Sequence, residues 1–278
     1  MIRIYTGWSN IGGSTIAFIN LVNMFNKNGI PAKLYGPHEW SQGKCKFELL
    51  ESRTTPEGFL TFANLHKVAE EFEKEDVVIC HFIPLAFANA GRGYIKKAIY
   101  SCHETDVYPI SNLDLDKFDF IHYVSDYQAV WHQKMHFPHV VIPNVVANIV
   151  ETKDEKKKKV AGVIGSIDPH KRPHKAIEKA IADGYETVLL FGAVTNPMYF
   201  DKKIRTLIEK YPEVVGYMGT MDDKTDMYSH VGKVYHASPR ETFNYIEHEC
   251  KLAHVEYEHL EGIYDVSEHW PEESILGA

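Results

Sequence analysis

Cysteine is scarce in this chain. Cys45, Cys80, Cys102 and Cys250 are scattered and form no C-x-x-C pair. That excludes a disulfide-stapled scaffold and leads us to expect reduced thiols in a cytoplasmic protein. No apolar run reaches the roughly 18 residues of a membrane span, and no signal-peptide pattern precedes the strand-like opening Met1-Ile2-Arg3-Ile4-Tyr5. Positive charge is lacking too. The formal net charge is −8, with 13 basic and 15 acidic groups in residues 1–150 and 17 and 23 in residues 151–278, so neither half is a general polyanion binder. The 16 histidines include no H-E-x-x-H, and His248-Glu249-Cys250 with His254 reads as a polar helix face, so no metal is expected. A G-x-G-x-x-G dinucleotide fingerprint is also missing.

What is there is alternation. Apolar runs at Ile2–Thr6, Ala32–Tyr35, Val77–His81, Lys97–Cys102, Phe120–Val124 and Val140–Ile142 predict strands, with a helix over Gly12–Asn28. The stretch E-T-K-D-E-K-K-K-K over Glu151–Lys159 has no apolar residue and reads as a linker. A second alternation follows. Strands are predicted at Val160–Ile164, Val188–Phe191, Val214–Tyr217 and Lys233–His236, with helices at Pro173–Asp183, Phe200–Lys210, Lys224–Ser229 and after Glu241. Unbroken apolar strands separated by helices are the pattern of parallel sheets covered on both faces. The expectation is an α/β chain of two doubly wound domains, 1–150 and 151–278.

Ligands in such sheets bind beyond the carboxyl ends of the strands. Gly12-Gly13, ahead of the first helix, lets backbone approach a ligand, and a helix N-terminus favours phosphate. In the loop Gly165-Ser166-Ile167-Asp168-Pro169-His170-Lys171-Arg172-Pro173, two cations stand just before a helix start, as a diphosphate site requires. The stretch S-P-R-E-T-F-N-Y-I-E-H-E-C, residues 238–250, leaves a strand and turns, with Glu241 expected at a helix start and Glu249 eight positions on. Eight helical residues advance about 12 Å, roughly the reach from a sugar across a diphosphate to a ribose. Glu249 would then accept from ribose hydroxyls, Glu241 would sit by the sugar, and the N–H groups of Thr242, Phe243 and Asn244 would face the phosphates.

Together these residues resemble the retaining glycosyltransferases of the GT-B fold, family 4 above all, whose E-x7-E element matches Glu241 and Glu249. The resemblance spans most of the chain. Gly12-Gly13 matches the glycine loop, Val141-Ile142-Pro143-Asn144-Val145 the segment before the linker, and Gly165 with Lys171 the G-R-x-x-x-x-K loop. Gly219, Met227 and Tyr228 match G-x-x-x-x-x-x-x-M-Y, and Ser101-Cys102-His103-Glu104 the strand end whose histidine lies near the donor sugar. Ser166 departs from the family's arginine, and Lys251–Tyr257 departs from its A-x-G-x-P-V.

The resemblance implies two domains facing a cleft, the first on the acceptor side and the second holding the nucleotide sugar. It implies hexosyl transfer, with UDP-glucose the first choice of donor, to an acceptor hydroxyl with retention and no required metal. His103, Glu241 and Lys171 would serve the chemistry, while Gly12, Gly13, Gly165, Ser166, Lys171, Arg172, Thr242, Phe243, Asn244 and Glu249 would hold the donor. His81 occupies a strand end like that of His103 and is expected to be structural. The compact size fits bacteriophage enzymes that glucosylate hydroxymethylated bases in duplex DNA, which would work in the host cytoplasm. Arg92, Lys96 and Lys97 are then the phosphate-gripping candidates. Alternatives are transfer to lipid or polysaccharide precursors, a GT-B-like epimerase or phosphorylase, and a non-catalytic nucleotide-sugar-binding protein of the same fold.

Overall fold

The computed structural model describes residues 1–7, 12–37, 39–50, 52–54, 60–62, 76–81, 96–103, 118–132, 136–146, 149–150 and 159–260. The chain divides into two compact units, Met1–Val146 and Ala147–Ala278.

In the first unit, β1 (Ile2–Thr6), β2 (Ala32–Gly36), β3 (Phe47–Leu49), β6 (Val77–His81), β7 (Lys97–Cys102), β8 (Phe120–Tyr123) and β9 (His139–Val141) form one sheet. Its order is β3-β2-β1-β6-β7-β8-β9, and every pairing is parallel. Between β3 and β6, β4 (Ser52–Thr54) and β5 (Leu60–Phe62) pair antiparallel by themselves. The chain winds outward from β1 to β3, then restarts beside β1 at β6 and runs the other way, so the switch point lies between β1 and β6. Side chains alternate across this sheet. Ile4, Leu34 and Ile79 pack with Phe18 and Val22 of α1 (Gly13–Lys27), whereas Tyr5, Tyr35, Val78, Cys80 and Tyr100 fill the opposite core with Ala129 of α2 (Asp126–Trp131). Burial on both faces is why these strands read as continuous apolar runs.

The second unit repeats the logic. Its strands are β10 (Val160–Ile164), β11 (Thr187–Phe191), β12 (Val215–Gly219), β13 (Lys233–His236) and β14 (Glu256–His259), in the all-parallel order β12-β11-β10-β13-β14. One face carries α3 (Pro173–Ala182), whose Ala176, Ile177 and Ala180 pack on Val163 and Leu190. The other carries α6 (Lys224–Ser229) and α7 (Tyr245–Ala253), with Met227, Tyr228 and Cys250 against Val234 and Phe191. The switch point lies between β10 and β13.

Several elements differ from the sequence reading: β3, β4, β5 and the helix α2 are not among those it predicts, and two differences in the second unit have a local cause. The helix expected over Phe200–Lys210 begins earlier, at Pro197–Tyr199 (α4), passes through a π-helical stretch Phe200–Arg205, and ends as Thr206–Lys210 (α5). Asn196 caps it by accepting from the Tyr199 N–H, with Pro197 at the first helical position, a start signal the apolar periodicity does not carry. Strand β14 lies in the segment that departs from the family pattern. Its Glu256-Tyr257-Glu258-His259 alternation is that of an edge strand, in which polar side chains on one face are tolerated.

Glycine is required where β10 and β11 end. Gly192 has φ +143°, and a Cβ there would stand 1.8 Å from the Gly165 carbonyl oxygen. Gly192→Ala is therefore expected to destabilise the second unit by at least about 3 kcal/mol. Gly184→Ala, where φ is +84° and a Cβ meets nothing within 4 Å, should cost only about 1–2 kcal/mol. Urea denaturation of both variants checks this, and equal losses would remove the close approach as the cause.

Candidate active site

The loop that follows β10 is folded by one aspartate. Asp168 Oδ1 accepts from the backbone N–H of His170 (2.8 Å) and Lys171 (2.9 Å), and Oδ2 accepts from the Ser166 hydroxyl at 2.7 Å. Gly165, at φ +133°, lets the chain leave the strand into this turn. Arg172 then sits in the left-handed region at φ +50°, directly before Pro173 at the start of α3. Non-glycine residues hold that conformation at a cost of about 1–2 kcal/mol, and such strain concentrates at functional loops. The turn carries Lys171 toward the neighbouring loop, where its ammonium donates to Glu241 Oε1 at 2.5 Å.

Glu241 comes from the loop after β13, across the switch point. The expectation that it starts a helix is corrected by the structure. The helix begins at Tyr245, because Asn244 is the cap and its side chain accepts from the Glu247 N–H at 3.3 Å. Thr242, Phe243 and Asn244 therefore form a turn ahead of the helix, and their N–H groups are not its N-terminus. Phe243 instead stacks on His248, ring centroids 4.6 Å apart and 5° from parallel. Behind Glu241, His236 Nε2 stands 3.2 Å from Oε1 without completing a hydrogen bond. Burial alone would push the Glu241 carboxyl up, but the His236 contact and the Lys171 charge outweigh it and hold it at about 2.

Glu249 lies on α7, only 3% exposed. Its Oε2 accepts from the Tyr228 hydroxyl at 2.8 Å and meets the Lys224 ammonium at 3.3 Å. Burial and this carboxylate push the Tyr228 phenol well above its ordinary range. The two glutamates thus share a pattern. Partners engage Oε1 of Glu241 and Oε2 of Glu249, and among the described residues the other oxygen of each has none.

In the first unit, Gly12-Gly13 opens α1 with no side-chain cap, leaving backbone N–H groups at the helix start. A Cβ on Gly12 would meet nothing within 4 Å, so the space around it does not demand glycine. His103, just past β7, packs its ring against Phe18 (4.8 Å) and His81 (5.3 Å). Its tautomer follows from a chain of hydrogen bonds anchored by a carbonyl. His122 Nε2 must donate to Ile142 O at 2.8 Å, so its Nδ1 accepts from Ser101 Oγ at 2.9 Å. Ser101 Oγ then accepts from His103 Nε2 at 3.0 Å, which leaves His103 Nδ1 unprotonated. Burial first, and then the neighbouring His81 and His122, hold the His103 pKa well below its ordinary value, so the ring is neutral at pH 7.

The structure brings Lys171 and Glu241 together, puts Gly165, Ser166 and Arg172 on the same loop, and places Glu249 on the adjoining helix. It does not bring Lys96 and Lys97 to His103. They sit at the amino end of β7, where the Lys97 ammonium lies over Phe120 at 5.1 Å, and His103 follows the carboxyl end. Arg92 and Glu104 lie outside the described residues, as does the chain's one D-x-D spacing, Asp114-Leu115-Asp116. Among the described residues no group of three His, Cys, Asp or Glu side chains is placed to hold a metal, and no helix is long and apolar enough to cross a membrane. Sequence reasoning missed Asp168, His236, Lys224 and Tyr257, and it named Tyr228 only within a motif. The partners of Lys224, Tyr228 and Tyr257 are distant in the chain and no spacing signals them, whereas Asp168 bonds mainly within its own turn, where Asp before Pro is the local sign.

Because the Glu241 carboxyl is depressed, its contribution to stability is fully present above about pH 4.5 and is lost as the pH falls toward about 2. At neutral pH the contribution is up to about 3 kcal/mol. Glu241→Gln should lower stability by that order near pH 6 and converge on the wild type near pH 2.5, as read by urea denaturation at each pH. Parallel curves would show that the carboxylate is not held this way.

No protein-family model matches the chain, and no curated protein matches it. Solved structures do. One is Anabaena HepE in complex with UDP-glucose, 16% identical, with a TM-score of 0.70 over 93% of this chain and 80% of that one. S. aureus TarM, in complex with UDP and α-GlcNAc-glycerol among others, is 11% identical, with a TM-score of 0.73 over 96% and 87%. The pneumococcal O-GlcNAc transferase GtfA, in complex with UDP and GlcNAc, is 11% identical, with a TM-score of 0.71 over 95% and 84%. With two all-parallel, doubly wound sheets laid out in this order, the chain has the GT-B fold.

Proposed function

We propose that this chain is a glycosyltransferase that moves a hexosyl group, glucose from UDP-glucose foremost, to an acceptor hydroxyl with retention at the anomeric carbon. The observation that carries the reading is the switch point of the second sheet. There a lysine and an arginine precede a helix, and two glutamates each keep one carboxylate oxygen unengaged among the described residues. In the GT-B fold this is a donor site. Lys171 and Arg172 meet the diphosphate, Glu249 Oε1 accepts from the ribose hydroxyls, and Glu241 Oε2 takes a hydroxyl of the sugar. The second unit is then the nucleotide-sugar domain and the first the acceptor-side domain, where the neutral His103 suits a sugar hydroxyl.

During transfer the bond from the anomeric carbon to the diphosphate breaks, the bond to the acceptor oxygen forms, and the acceptor's proton passes to the departing diphosphate oxygen. Negative charge grows on the departing diphosphate, so fixed cations act mainly in the transition state. Two of the three Lys171 ammonium hydrogens remain for phosphate oxygens beyond the one given to Glu241. Retention and the absence of a metal requirement are supported by the family resemblance. Support for a hydroxymethylated or already glucosylated DNA base as acceptor is the compact size alone. The alternative acceptors are lipid or polysaccharide precursors.

Glu249→Gln should weaken UDP binding about tenfold, since a charge-assisted hydrogen bond contributes about 1.5–3 kcal/mol, and Lys171→Ala should cut turnover more than it cuts UDP affinity. Calorimetry and donor-hydrolysis rates read the two, and unchanged UDP affinity in Glu249→Gln removes Glu249 from the site. For the acceptor, the protein and UDP-glucose are incubated with hydroxymethylcytosine duplex, with simple glycans and with lipid-linked glycans, then examined by mass spectrometry. A hexosyl gain on the duplex is expected. A gain only on a glycan assigns that class instead, and UDP binding with neither transfer nor donor hydrolysis makes the chain a non-catalytic binding protein.

A further inference from the structure

The segment that departs most from the family pattern, just beyond Glu249, is not a neutral replacement. It builds β14, an edge strand whose two faces do different work. Glu258 turns to the α3 side and pairs with Lys233 at 2.7 Å. Tyr257 and His259 turn to the other side, toward the turn that carries Glu241. His259 Nε2 donates to the Ser238 carbonyl at 2.8 Å, and the Ser238 hydroxyl donates to Arg240 O at 2.9 Å, so the turn is held from below.

Tyr257 reaches further. The Asn244 side chain cannot be flipped, because its oxygen takes the Glu247 N–H as the helix cap. Its Nδ2 therefore donates to the Tyr257 hydroxyl, at 2.6 Å. A phenol oxygen can accept twice, so the direction comes from the other end: Nε2 of His236 faces the acceptor-only Glu241 carboxylate at 3.2 Å, which leaves Nδ1 to accept from the tyrosine's hydroxyl at 3.0 Å. A ring that accepts at Nδ1 carries its proton on Nε2, which faces Glu241 Oε1 without completing a hydrogen bond. The chain Asn244–Tyr257–His236–Glu241 thus has a single direction, and it ends on the oxygen that also receives Lys171.

We propose that Tyr257 and His236 are positioning residues: the β14 hydroxyl locks His236 as the Nε2–H tautomer, which together with Lys171 pins Oε1 of Glu241 and aims Oε2 at the ligand. The consequence for catalysis rests on the transferase reading above, but the tautomer lock does not. Oriented second contacts of this kind govern how a carboxylate or imidazole presents itself to substrate.

The test uses the full chain labelled with ¹⁵N-histidine. The ring nitrogen shifts of His236 in the wild type should report a proton on Nε2. Tyr257→Phe keeps the ring and removes the hydroxyl, and it should convert His236 to a mixture of tautomers. Turnover should fall about tenfold while UDP affinity stays within about twofold, because the loss falls on orientation. His236→Gln, whose amide nitrogen can stand in for Nε2–H, should retain most turnover, and His236→Asn should not. A wild-type proton on Nδ1, or an unchanged tautomer and turnover in Tyr257→Phe, overturns the proposal. If the wild type neither transfers nor hydrolyses donor, the transferase reading fails, and the nitrogen shifts still judge the lock on their own.

Discussion

The contact between Lys171 and Glu241 depends on a crossover. The two residues are 70 positions apart, and they meet only because β13 returns to lie beside β10, with Ala161 opposite Lys233 and Gly162 opposite Val234. Parallel pairing then puts both carboxyl ends at one edge of the sheet, and each strand discharges its loop into the same space. A half-buried ion pair of this kind is weak evidence for stability, since desolvation offsets much of its attraction. Its effect here is geometric. It fixes an ammonium and a carboxylate in one place, with the rest of each group still available.

Arranging that pair asks the backbone for several local concessions. Gly165 and Gly192 take left-handed angles where the β10 and β11 loops nearly touch, and Arg172 accepts the same region without being glycine. Asp168 compensates by tying up the N–H groups of the turn. Ser166, the departure from the resembled G-R-x-x-x-x-K pattern, is part of that scaffold through its bond to Asp168. Under the proposed function, the cationic work on this loop would fall to Lys171 and Arg172.

Both units solve the same problem with buried histidines, which is to give an ambiguous ring one orientation. In the first unit the Ile142 carbonyl is the anchor, and polarity passes through His122 and Ser101 to His103. In the second the Glu241 carboxylate is the anchor, and polarity passes through His236 to Tyr257. A carbonyl and a carboxylate can only accept, so one unambiguous group at the end of a chain orients the rings along it.

Much of the architecture was legible in the residues alone. Ile4 and Tyr5, or Val78 and Ile79, are apolar on both faces of a strand, and only a sheet covered on both sides keeps such runs from water. The glycine loop, the Lys171-Arg172-Pro173 entry to α3 and the Glu241–Glu249 interval could likewise be read locally, because a turn, a helix start and a motif are all short-range. The start of α7 could not, since it was expected at Glu241 and the cap was decided by which side chain reached Glu247 N–H. Tertiary structure alone decided the partners. Tyr228 against Glu249 and Tyr257 against His236 join different elements, and His236 meets Glu241 because the turn after β13 folds back on the strand end. Hydrogen bonds of that kind depend on distances that a one-dimensional pattern does not contain.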